Sequence, residues 1–256
     1  MKLLSIFFGF LMLVISPLKD LSQLINYKSE GVGLNTTKLE HLSSNCKVES
    51  VKSINSVNDG KIYIITLFRG KMDFSVTNKS YSNNHFYINS NFFGHKGEPL
   101  GEVKINGKTF RNRLKGGGFF HTNGQNGSVS VYSRPNSKFI SQTGYVSIRN
   151  GSVNNSYNKT RWGKLTTDRI LIGENKSGDI IVIHTGYFGS TTIKNMNLIA
   201  KKFGIINGIH LDGGSSVQVK LKDGFYKHEY KALSDFSRSF TNIPEPPIHI
   251  VGNFIK

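Results

Sequence analysis

Short apolar runs separated by glycine and asparagine are the feature that most limits how this 256-residue chain can fold. From residue 61 onward, segments rich in Ile, Val, Tyr and Phe follow one another: KIYIITLF, HFYINSNFF, GEVKI, SVSVY, GYVSI, RILIG, DIIVIH and IHL. Runs of this length between turn residues are typical of strands. The sequence therefore predicts a domain built mainly from β-strands.

Only one segment, TTIKNMNLIAKKFG, has convincing helical spacing. Its apolar residues Ile193, Met196, Ala200 and Phe203 fall on one face behind a threonine cap, and Gly204 is placed to end the helix. We expect this apolar stripe to pack into the core.

The first twenty residues have the layout of a secretory signal, with Lys2 followed by a short apolar run and then by Pro17, Lys19 and Asp20. The run is shorter than the ~20 residues of a membrane-spanning helix, but no clear small-x-small cleavage site follows it. An uncleaved anchor is therefore the alternative to a cleaved signal. Both interpretations predict an exported protein (secreted, periplasmic or at the cell envelope), with membrane contact only through such an anchor.

Chain length favours one large domain, because single hydrophobic cores stop growing near ~250–300 residues. Residues 21–55 are polar and lack clear periodicity, which is typical of either an N-terminal extension or a first strand region. The predicted organisation is a signal peptide or N-terminal anchor over 1–20, an N-terminal extension over 21–55, and one domain over 56–256.

A net charge of +17 indicates attraction to polyanions such as nucleic acid, anionic lipid or phosphorylated glycan. A lysine-rich solubilising surface explains the same charge equally well. No RRM, OB-fold or helix-turn-helix signature is present, which argues against nucleic acid as the partner.

Cysteine and motif content argue against cofactors. Cys46 is the only cysteine, which excludes an internal disulfide and a cysteine-cluster metal site. The sequence has no GxGxxG, GxxxxGK[ST], HExxH or EF-hand pattern. We therefore predict no cofactor and no metal.

Polar residues at predicted strand ends are the first candidate site residues. Asn89 and Asn91 alternate with apolar residues before a glycine-rich turn, where amides either hold hydroxyls and phosphate oxygens or serve the turn itself. Gly117 and Gly118 belong to a glycine triplet that either lets a ligand approach the backbone closely or makes a tight bend. Basic residues that would form an anion-binding strip, if they face the cleft, are Lys104, Lys108, Arg111, Arg113 and Lys115.

Two charged residues give the sharpest signals. Arg169 precedes a half-buried strand and needs an anion there, which is either a substrate phosphate or carboxylate or a structural aspartate. Asp212 follows a buried strand and precedes Gly213 and Gly214. It is either a functional carboxylate at the rim of the core or part of an Asp-Gly hairpin.

The series INSNFFGHKGEPLG, KGGGFF, SQTGYVSIRNG, TTDRILIG, TTIKNMNLIAKKFG and NGIHLDGGSSVQ resembles the phosphodiester glycosidase family over about residues 60–256. The resemblance implies an α+β fold, a mixed, β-rich sheet domain with few flanking helices. It implies catalytic roles for Asn89, Arg169 and Asp212. The positions that it implies for substrate binding are Asn91, Gly117, Gly118, His210, Gly213, Gly214 and Ser216.

The chain departs from the family pattern at three places: Tyr145 replaces a usual proline, His210 replaces a common asparagine, and LDGGSSVQ stands where LDGGGSS is more usual. These departures concern substrate preference more than the reaction.

The implied activity is hydrolysis of the C1–O bond of a sugar-1-phosphodiester, similar to N-acetylglucosamine-1-phosphodiester, in an exported anionic carbohydrate. Its leaving group is a phosphate monoester, a weak base, so one carboxylate and one cation could suffice where ordinary glycosidases use two carboxylates. We assign Asp212 to stabilising the oxocarbenium-like state or activating water, Arg169 to binding the phosphate, and Asn89 to positioning the substrate. Glu98 and Asp168 are reserve acids. The alternative is a non-catalytic envelope protein that binds anionic polysaccharide.

Overall fold

The structure is a computed structural model that describes residues 37–53, 60–79, 83–94, 96–187, 189–232 and 246–255. The signal peptide or anchor predicted for residues 1–20 lies outside these ranges. No helix in the described part of the chain has the length and apolar character needed to span a bilayer.

Strands dominate the described residues. They are β1 (Thr37–Leu42), β2 (Cys46–Lys52), β3 (Lys61–Leu67), β4 (Met72–Thr77), β5 (Phe86–Asn89), β6 (Val103–Ile105), β7 (Lys108–Arg111), β8 (Gly118–Thr122), β9 (Ser128–Ser130), β10 (Phe139–Thr143), β11 (Tyr145–Arg149), β12 (Ser152–Val153), β13 (Ile170–Asn175), β14 (Ile180–Thr185), β15 (Ile205–His210), β16 (Gln218–Asp223), β17 (Tyr226–Lys231) and β18 (His249–Phe254). The helices are α1 (Arg161–Lys164) and α2 (Ile193–Lys202), and a 3₁₀ turn covers Gly214–Ser216.

The strands form three sheets. The large sheet has the order β1-β2-β3-β14-β13-β15-β11-β12, the second sheet β7-β6-β10-β8-β9, and the third sheet β17-β16-β5-β18-β4. The predicted β-rich α+β class is confirmed. Every pair within these sheets is antiparallel, although we expected a mixed sheet. Antiparallel neighbours can be joined by short turns, whereas parallel strands need long crossovers, so the many short strands of this chain fit the observed pairing.

The large sheet is buried on both faces. In β3, Ile62 and Ile64 pack towards α2, while Ile65 and Leu67 pack towards the other two sheets. This division follows from the period of two in a strand, where successive side chains point to opposite faces. It explains why the sequences of β3 and β14 are continuously apolar.

The predicted helix is confirmed as α2. The Thr192 hydroxyl accepts a hydrogen bond from the Asn195 backbone N–H at the first turn, and Gly204, with φ of +76°, follows the last turn. Met196 and Ala200 are buried between α2 and the large sheet, as the apolar spacing indicates.

The N-terminal hairpin is part of the folded domain. β2 pairs with β3 from Cys46 to Lys52, and the side chains of Cys46 and Val48 lie in the core between the sheets. The sequence of β2 alternates buried and partly exposed residues, which is the pattern of a strand with one solvated face. The described part of residues 21–55 therefore forms two strands of the large sheet, in line with a first strand region.

Candidate active site

The loop that carries Asp212 joins two different sheets. β15 ends at His210 in the large sheet, and β16 begins at Gln218 in the third sheet. An Asp-Gly hairpin would pair these two strands with each other, so that alternative is wrong. Asp212 is half-buried, and its backbone N–H donates to the Ser90 carbonyl oxygen over 3.1 Å. The carboxylate is therefore carried on a backbone that is tied to both sheets.

Asn89 holds the two ends of this loop. Its side chain is fully buried at the end of β5. The amide nitrogen donates to the carbonyl oxygen of Asp212 over 2.7 Å, and the amide oxygen accepts from the Gln218 backbone N–H over 2.9 Å. Because both ends of the amide bind the main chain, the structure places Asn89 as a residue that positions Asp212.

Arg169 lies opposite Asp212 across the neighbouring strand. In the β13–β15 register, Leu171 pairs with His210, and continuing this register by two residues sets Arg169 against Asp212. The register thus sets the backbones of these two charged residues, 43 positions apart in the sequence, opposite each other at one end of β13 and β15.

Two glycines let the Asp212 loop run directly against β13. A Cβ atom on Gly213 would lie 2.8 Å from the carbonyl oxygen of Asp168, and Gly214 has φ of +61°. The Gly214 N–H donates to that same carbonyl oxygen over 2.8 Å. Ser216, which ends the 3₁₀ turn, is buried. The structure therefore gives Gly213 and Gly214 a role in loop geometry.

The guanidinium group of Arg169 is buried and only partly hydrogen-bonded. Nη2 donates to the carbonyl oxygens of Trp162 (2.8 Å) and Leu165 (2.7 Å), and Nε donates to that of Thr191 (3.4 Å). Nη1 has no hydrogen-bond partner among the described residues. Burial lowers the pKa of Arg169 to about 10, so the group remains charged at neutral pH.

The nearby Asp168 carboxylate favours the charged form of Arg169, so both a structural aspartate and a substrate anion stay open as partners of this cation. Its hydrogen-bond partners within the described ranges are main-chain carbonyls, and no carboxylate is among them. A buried cation with a free donor is costly unless an anion satisfies it. Nη1 therefore keeps an unused donor that suits an anionic oxygen, on an atom that is buried from solvent.

His210 adds a buried, neutral imidazole beside Arg169. Its Nε2 lies 2.9 Å from Oδ1 of Asn197, and that oxygen also accepts from the Ser147 hydroxyl, so Nε2 carries the proton and donates. Nδ1 is buried and has no hydrogen-bond partner in the described residues. Burial, with the nearby charge of Arg169, lowers the pKa of His210 to about 3. The Ile170 backbone acts in the opposite direction, and the imidazole is neutral at neutral pH.

A cluster of half-buried aromatic rings surrounds these two polar groups. The Trp162 ring lies 4.5 Å from the Arg169 guanidinium carbon and 6.3 Å from the His210 ring. Tyr145 stacks on Trp162 at 4.3 Å between centroids, and Phe92 contacts both rings at their edges. Such surfaces suit the apolar faces of sugar rings.

The sequence interpretation did not identify this cluster. The one sequence feature that could have drawn attention to it is Trp162, the only tryptophan of the chain. Tyr145 was noted only as a departure from the family pattern, yet it is paired with His210 in the β11–β15 register.

Asp168 is bound to hydroxyl groups close to the loop. Oδ1 accepts from the hydroxyls of Thr185 and Ser190, each at 3.2 Å, and Oδ2 accepts from Tyr230 at 3.1 Å. Burial raises the pKa of this carboxyl, against the opposing effect of these hydrogen bonds. Three hydroxyl donors to the side-chain carboxylate indicate a structural role for Asp168. Its main-chain carbonyl oxygen supports the loop by accepting the hydrogen bond from Gly214.

The other predicted residues serve the framework. Asn91 is fully buried and donates to the Gln142 carbonyl oxygen over 2.7 Å. A Cβ atom on Gly117 would lie 2.1 Å from the carbonyl oxygen of Thr143, and one on Gly118 would lie 2.3 Å from Ile209 Cγ2. Gly117 therefore permits a close approach within the second sheet, and Gly118 permits close packing of that sheet on the large sheet.

Two further expectations concern charged residues outside this group. Glu98 accepts a hydrogen bond from the Lys96 backbone N–H over 3.1 Å, within a local turn. The basic strip lies on β6, on the exposed edge strand β7 and in the loop after it. Its most exposed members are Lys108, Arg111, Arg113 and Lys115.

Comparisons with known proteins find similar folds and a matching family. The catalytic domain of zebrafish N-acetylglucosamine-1-phosphodiester alpha-N-acetylglucosaminidase, auto-inhibited by its pro-peptide, is similar in fold, with a TM-score of 0.57 and 13% sequence identity over 88% of this chain and 86% of that one. A hypothetical protein from Synechocystis is similar with a TM-score of 0.55 and 11% identity, over 88% of this chain and 64% of that one. A search of curated proteins found no match. The family model described as phosphodiester glycosidase matches residues 82–243, and this chain therefore belongs to the phosphodiester glycosidase family.

Proposed function

We propose that this protein hydrolyses the glycosidic C1–O bond of a sugar-1-phosphodiester, similar to N-acetylglucosamine-1-phosphodiester, in an exported anionic glycan. The family and fold support a hydrolase of this kind. The observation that carries the proposal is the buried Arg169 guanidinium, whose Nη1 lacks a hydrogen-bond partner in the described chain and which lies opposite Asp212.

Arg169 is suited to binding the phosphate of such a substrate. A phosphate oxygen that accepts from Nη1 would give the buried donor its missing hydrogen bond, and the negative charge would compensate the buried cation. The bond gains strength as negative charge develops on the departing phosphate monoester, because a preorganised cation stabilises the charge that forms in the transition state.

The sugar would lie against the aromatic rings. The half-buried cluster of Phe92, Tyr145 and Trp162 offers apolar surface to the sugar, and His210 lies beside Trp162. Asp212 then acts on the anomeric carbon, either by stabilising positive charge in the oxocarbenium-like state or by accepting a proton from the attacking water. Asn89 fixes the main chain of Asp212 while this happens.

Export is also a proposal. It rests on the basic and apolar layout of residues 1–20, and an anionic glycan of the cell envelope is the substrate class that fits a chain with a net charge of +17.

Replacement of Asp212 tests the activity directly. Asp212→Asn should lower turnover of a sugar-1-phosphodiester by about 10²–10⁴-fold while the melting temperature stays near that of the wild type. Asp73→Asn, at an exposed position in β4, is the matched control and should leave turnover unchanged. A wild-type protein that binds anionic polysaccharide but turns over no member of a sugar-1-phosphodiester panel would favour the non-catalytic alternative.

The bond that breaks is identified by hydrolysis in ¹⁸O-labelled water. Attack at the anomeric carbon puts the label in the free sugar and leaves the phosphate monoester unlabelled, as mass spectrometry can show. Label in the phosphate would mean phosphorus–oxygen cleavage and would overturn the role given to Asp212.

A further inference from the structure

A second group of polar side chains meets at the opposite end of β16 from the Asp212 loop. His41 Nε2 lies 2.9 Å from Oδ2 of Asp223, and the Cys46 Sγ lies 3.5 Å from the same oxygen. The three ligand atoms all lie within 4.8 Å of one another. His41 and Cys46 come from the β1–β2 hairpin, and Asp223 ends β16, so the group connects the large sheet to the third sheet.

The chemistry of these three groups is that of a zinc site. Imidazole nitrogen, thiolate sulfur and carboxylate oxygen are the ligands that Zn²⁺ takes in proteins, at about 2.0–2.3 Å. Donors around a tetrahedral ion of this size are about 3.3–3.6 Å apart. The Cys46–Asp223 contact of 3.5 Å already has this separation, and the His41–Asp223 contact of 2.9 Å would have to lengthen by about 0.4 Å.

Neighbouring groups hold the three ligands in place. Asn45 Nδ2 donates to Oδ1 of Asp223 over 3.1 Å, which orients the carboxylate and leaves Oδ2 towards the other two ligands. The Tyr226 ring stacks on the imidazole of His41 at 4.3 Å with an angle of 6° between the planes. Supporting contacts of this kind orient metal ligands in known sites. Cys46 is fully buried, while His41 is half-exposed and leaves a route for an ion.

We infer that His41, Cys46 and Asp223 bind one zinc ion, with solvent at the fourth position. The ion replaces the thiol proton of Cys46 and takes the Nε2 lone pair of the neutral His41 imidazole, whose proton is then on Nδ1, so binding releases one proton and leaves the oxidation state of sulfur unchanged. Burial raises the pKa of the thiol to about 12 in the metal-free protein, which means that zinc affinity should increase with pH.

This site is separate from the candidate active site. Gln218 and Asp223 are the first and last of the six residues of β16, which puts them about 17 Å apart along the strand. The ion should therefore stabilise the junction of the β1–β2 hairpin with the third sheet. The sequence predicted no metal because Asp223 is 177 positions from Cys46, beyond the reach of any local spacing motif.

Cobalt provides a direct probe, because Cys46 is the only cysteine in the chain. The full chain, reduced and stripped of metal, is titrated with Co²⁺, and we expect a sulfur-to-cobalt charge-transfer band that saturates at one equivalent and disappears when Zn²⁺ is added. Zinc at a hundredfold excess over its Kd should raise the melting temperature by about 5–10 °C. Absence of the band, with the thiol shown to be reduced and reactive after unfolding, would overturn the inference.

Two variants and a matched control complete the test. Cys46→Ser should abolish the charge-transfer band, and His41→Gln should weaken zinc binding at least tenfold. If the buried Cys46→Ser change prevents folding, the half-exposed His41→Gln change carries the test. The control is His85→Gln, since His85 is exposed and hydrogen-bonded to Asn253. Equal zinc affinity in His41→Gln and His85→Gln would show that zinc binds elsewhere.

Discussion

The side-chain amide of Asn89 donates to the main-chain carbonyl oxygen of Asp212 over 2.7 Å, and this bond joins the end of β5 to the loop that carries the candidate catalytic carboxylate. The same amide receives a hydrogen bond from the backbone of Gln218, at the other end of the loop. One buried side chain therefore determines where the loop leaves the large sheet and where it enters the third.

Removal of the Asn89 side-chain amide should lower turnover by more than the accompanying loss of stability accounts for. Asn89→Ala leaves two buried main-chain groups without partners, at about 1–3 kcal/mol each, and frees the Asp212 backbone. Asn91→Ala is the matched control, because Asn91 is equally buried and also binds main chain, but at Gln142. We expect both variants to unfold at lower urea concentration and kcat to fall at least about tenfold further in Asn89→Ala. Equal loss of kcat would assign Asn89 to stability alone.

Arg169→Lys should weaken phosphate binding. Lysine keeps the charge but lacks the planar fork, so it cannot bind the carbonyl oxygens of the α1 segment and a phosphate together. Because Trp162 is the only tryptophan and lies 4.5 Å from this guanidinium, its fluorescence should report binding of inorganic phosphate. We expect the Kd to increase about 10–100-fold, as for loss of a hydrogen bond between charged groups. Arg161→Lys, at the exposed neighbouring position, should bind phosphate as the wild type does.

A different set of measurements on Arg169→Lys would contradict phosphate binding by this residue. If Arg169→Lys lowers the melting temperature in step with activity while phosphate affinity is unchanged, the residue is structural.

Trp162→Ala should raise KM for the sugar-1-phosphodiester about tenfold, because it removes both the ring beneath the sugar and the cation–π contact with Arg169. Trp162→Phe should recover most of the loss. Tyr132→Ala is the matched control, since the Arg149 guanidinium lies 5.2 Å from the exposed Tyr132 ring in a similar contact elsewhere. A KM effect of the same size in that control would remove the argument for a sugar platform.

Acid should destabilise the fold through its buried histidines. Burial lowers the pKa of His210 to about 3 and those of His228 and His249 to about 4, and it lowers that of His184 well below its usual value. The unfolded chain binds these protons near pH 6.5 and the folded chain does not, so this stability is complete above pH 6.5 and is lost as the pH falls towards 4. Each histidine contributes up to about 1.4 kcal/mol per pH unit.

Urea unfolding between pH 7 and pH 4 measures this slope. His249→Phe keeps an aromatic ring in the core but cannot bind a proton. It should therefore reduce the pH dependence of the unfolding free energy by the contribution of one histidine. An unfolding free energy that does not change over this range would contradict the burial of neutral imidazoles.

The strands and the long helix could be predicted because their signals are local. The continuous apolar sequences of β3 and β14 report burial on both faces, and Thr192 and Gly204 mark the ends of α2. The sequence of the β1–β2 hairpin did not distinguish strands from an extension, because its charged residues, including Glu49, reflect an edge of the sheet that faces solvent. Strand order cannot be read from such local patterns, because it is decided by packing between distant segments.

The site residues were predictable only where a local sequence motif marks them. Asp212 and Arg169 stand in recognisable motifs, but that they lie opposite each other depends on the β13–β15 register. The function of Asn89 depends on a contact across two sheets. Trp162 has no motif around it, and its proximity to Arg169 follows from the position of α1 in space.

The loop between β15 and β16 has a consequence for the order in which the protein folds. Asn89 and Asp212 are 123 residues apart, and the groups between them belong to all three sheets. Contacts of such long range carry a large loop-closure cost and form late in folding. During refolding, secondary structure should therefore return before enzymatic activity, and the appearance of activity should coincide with the slowest phase. Because residue 212 is synthesised after four-fifths of the chain, a nascent polypeptide can complete its early strands well before it can act on a substrate.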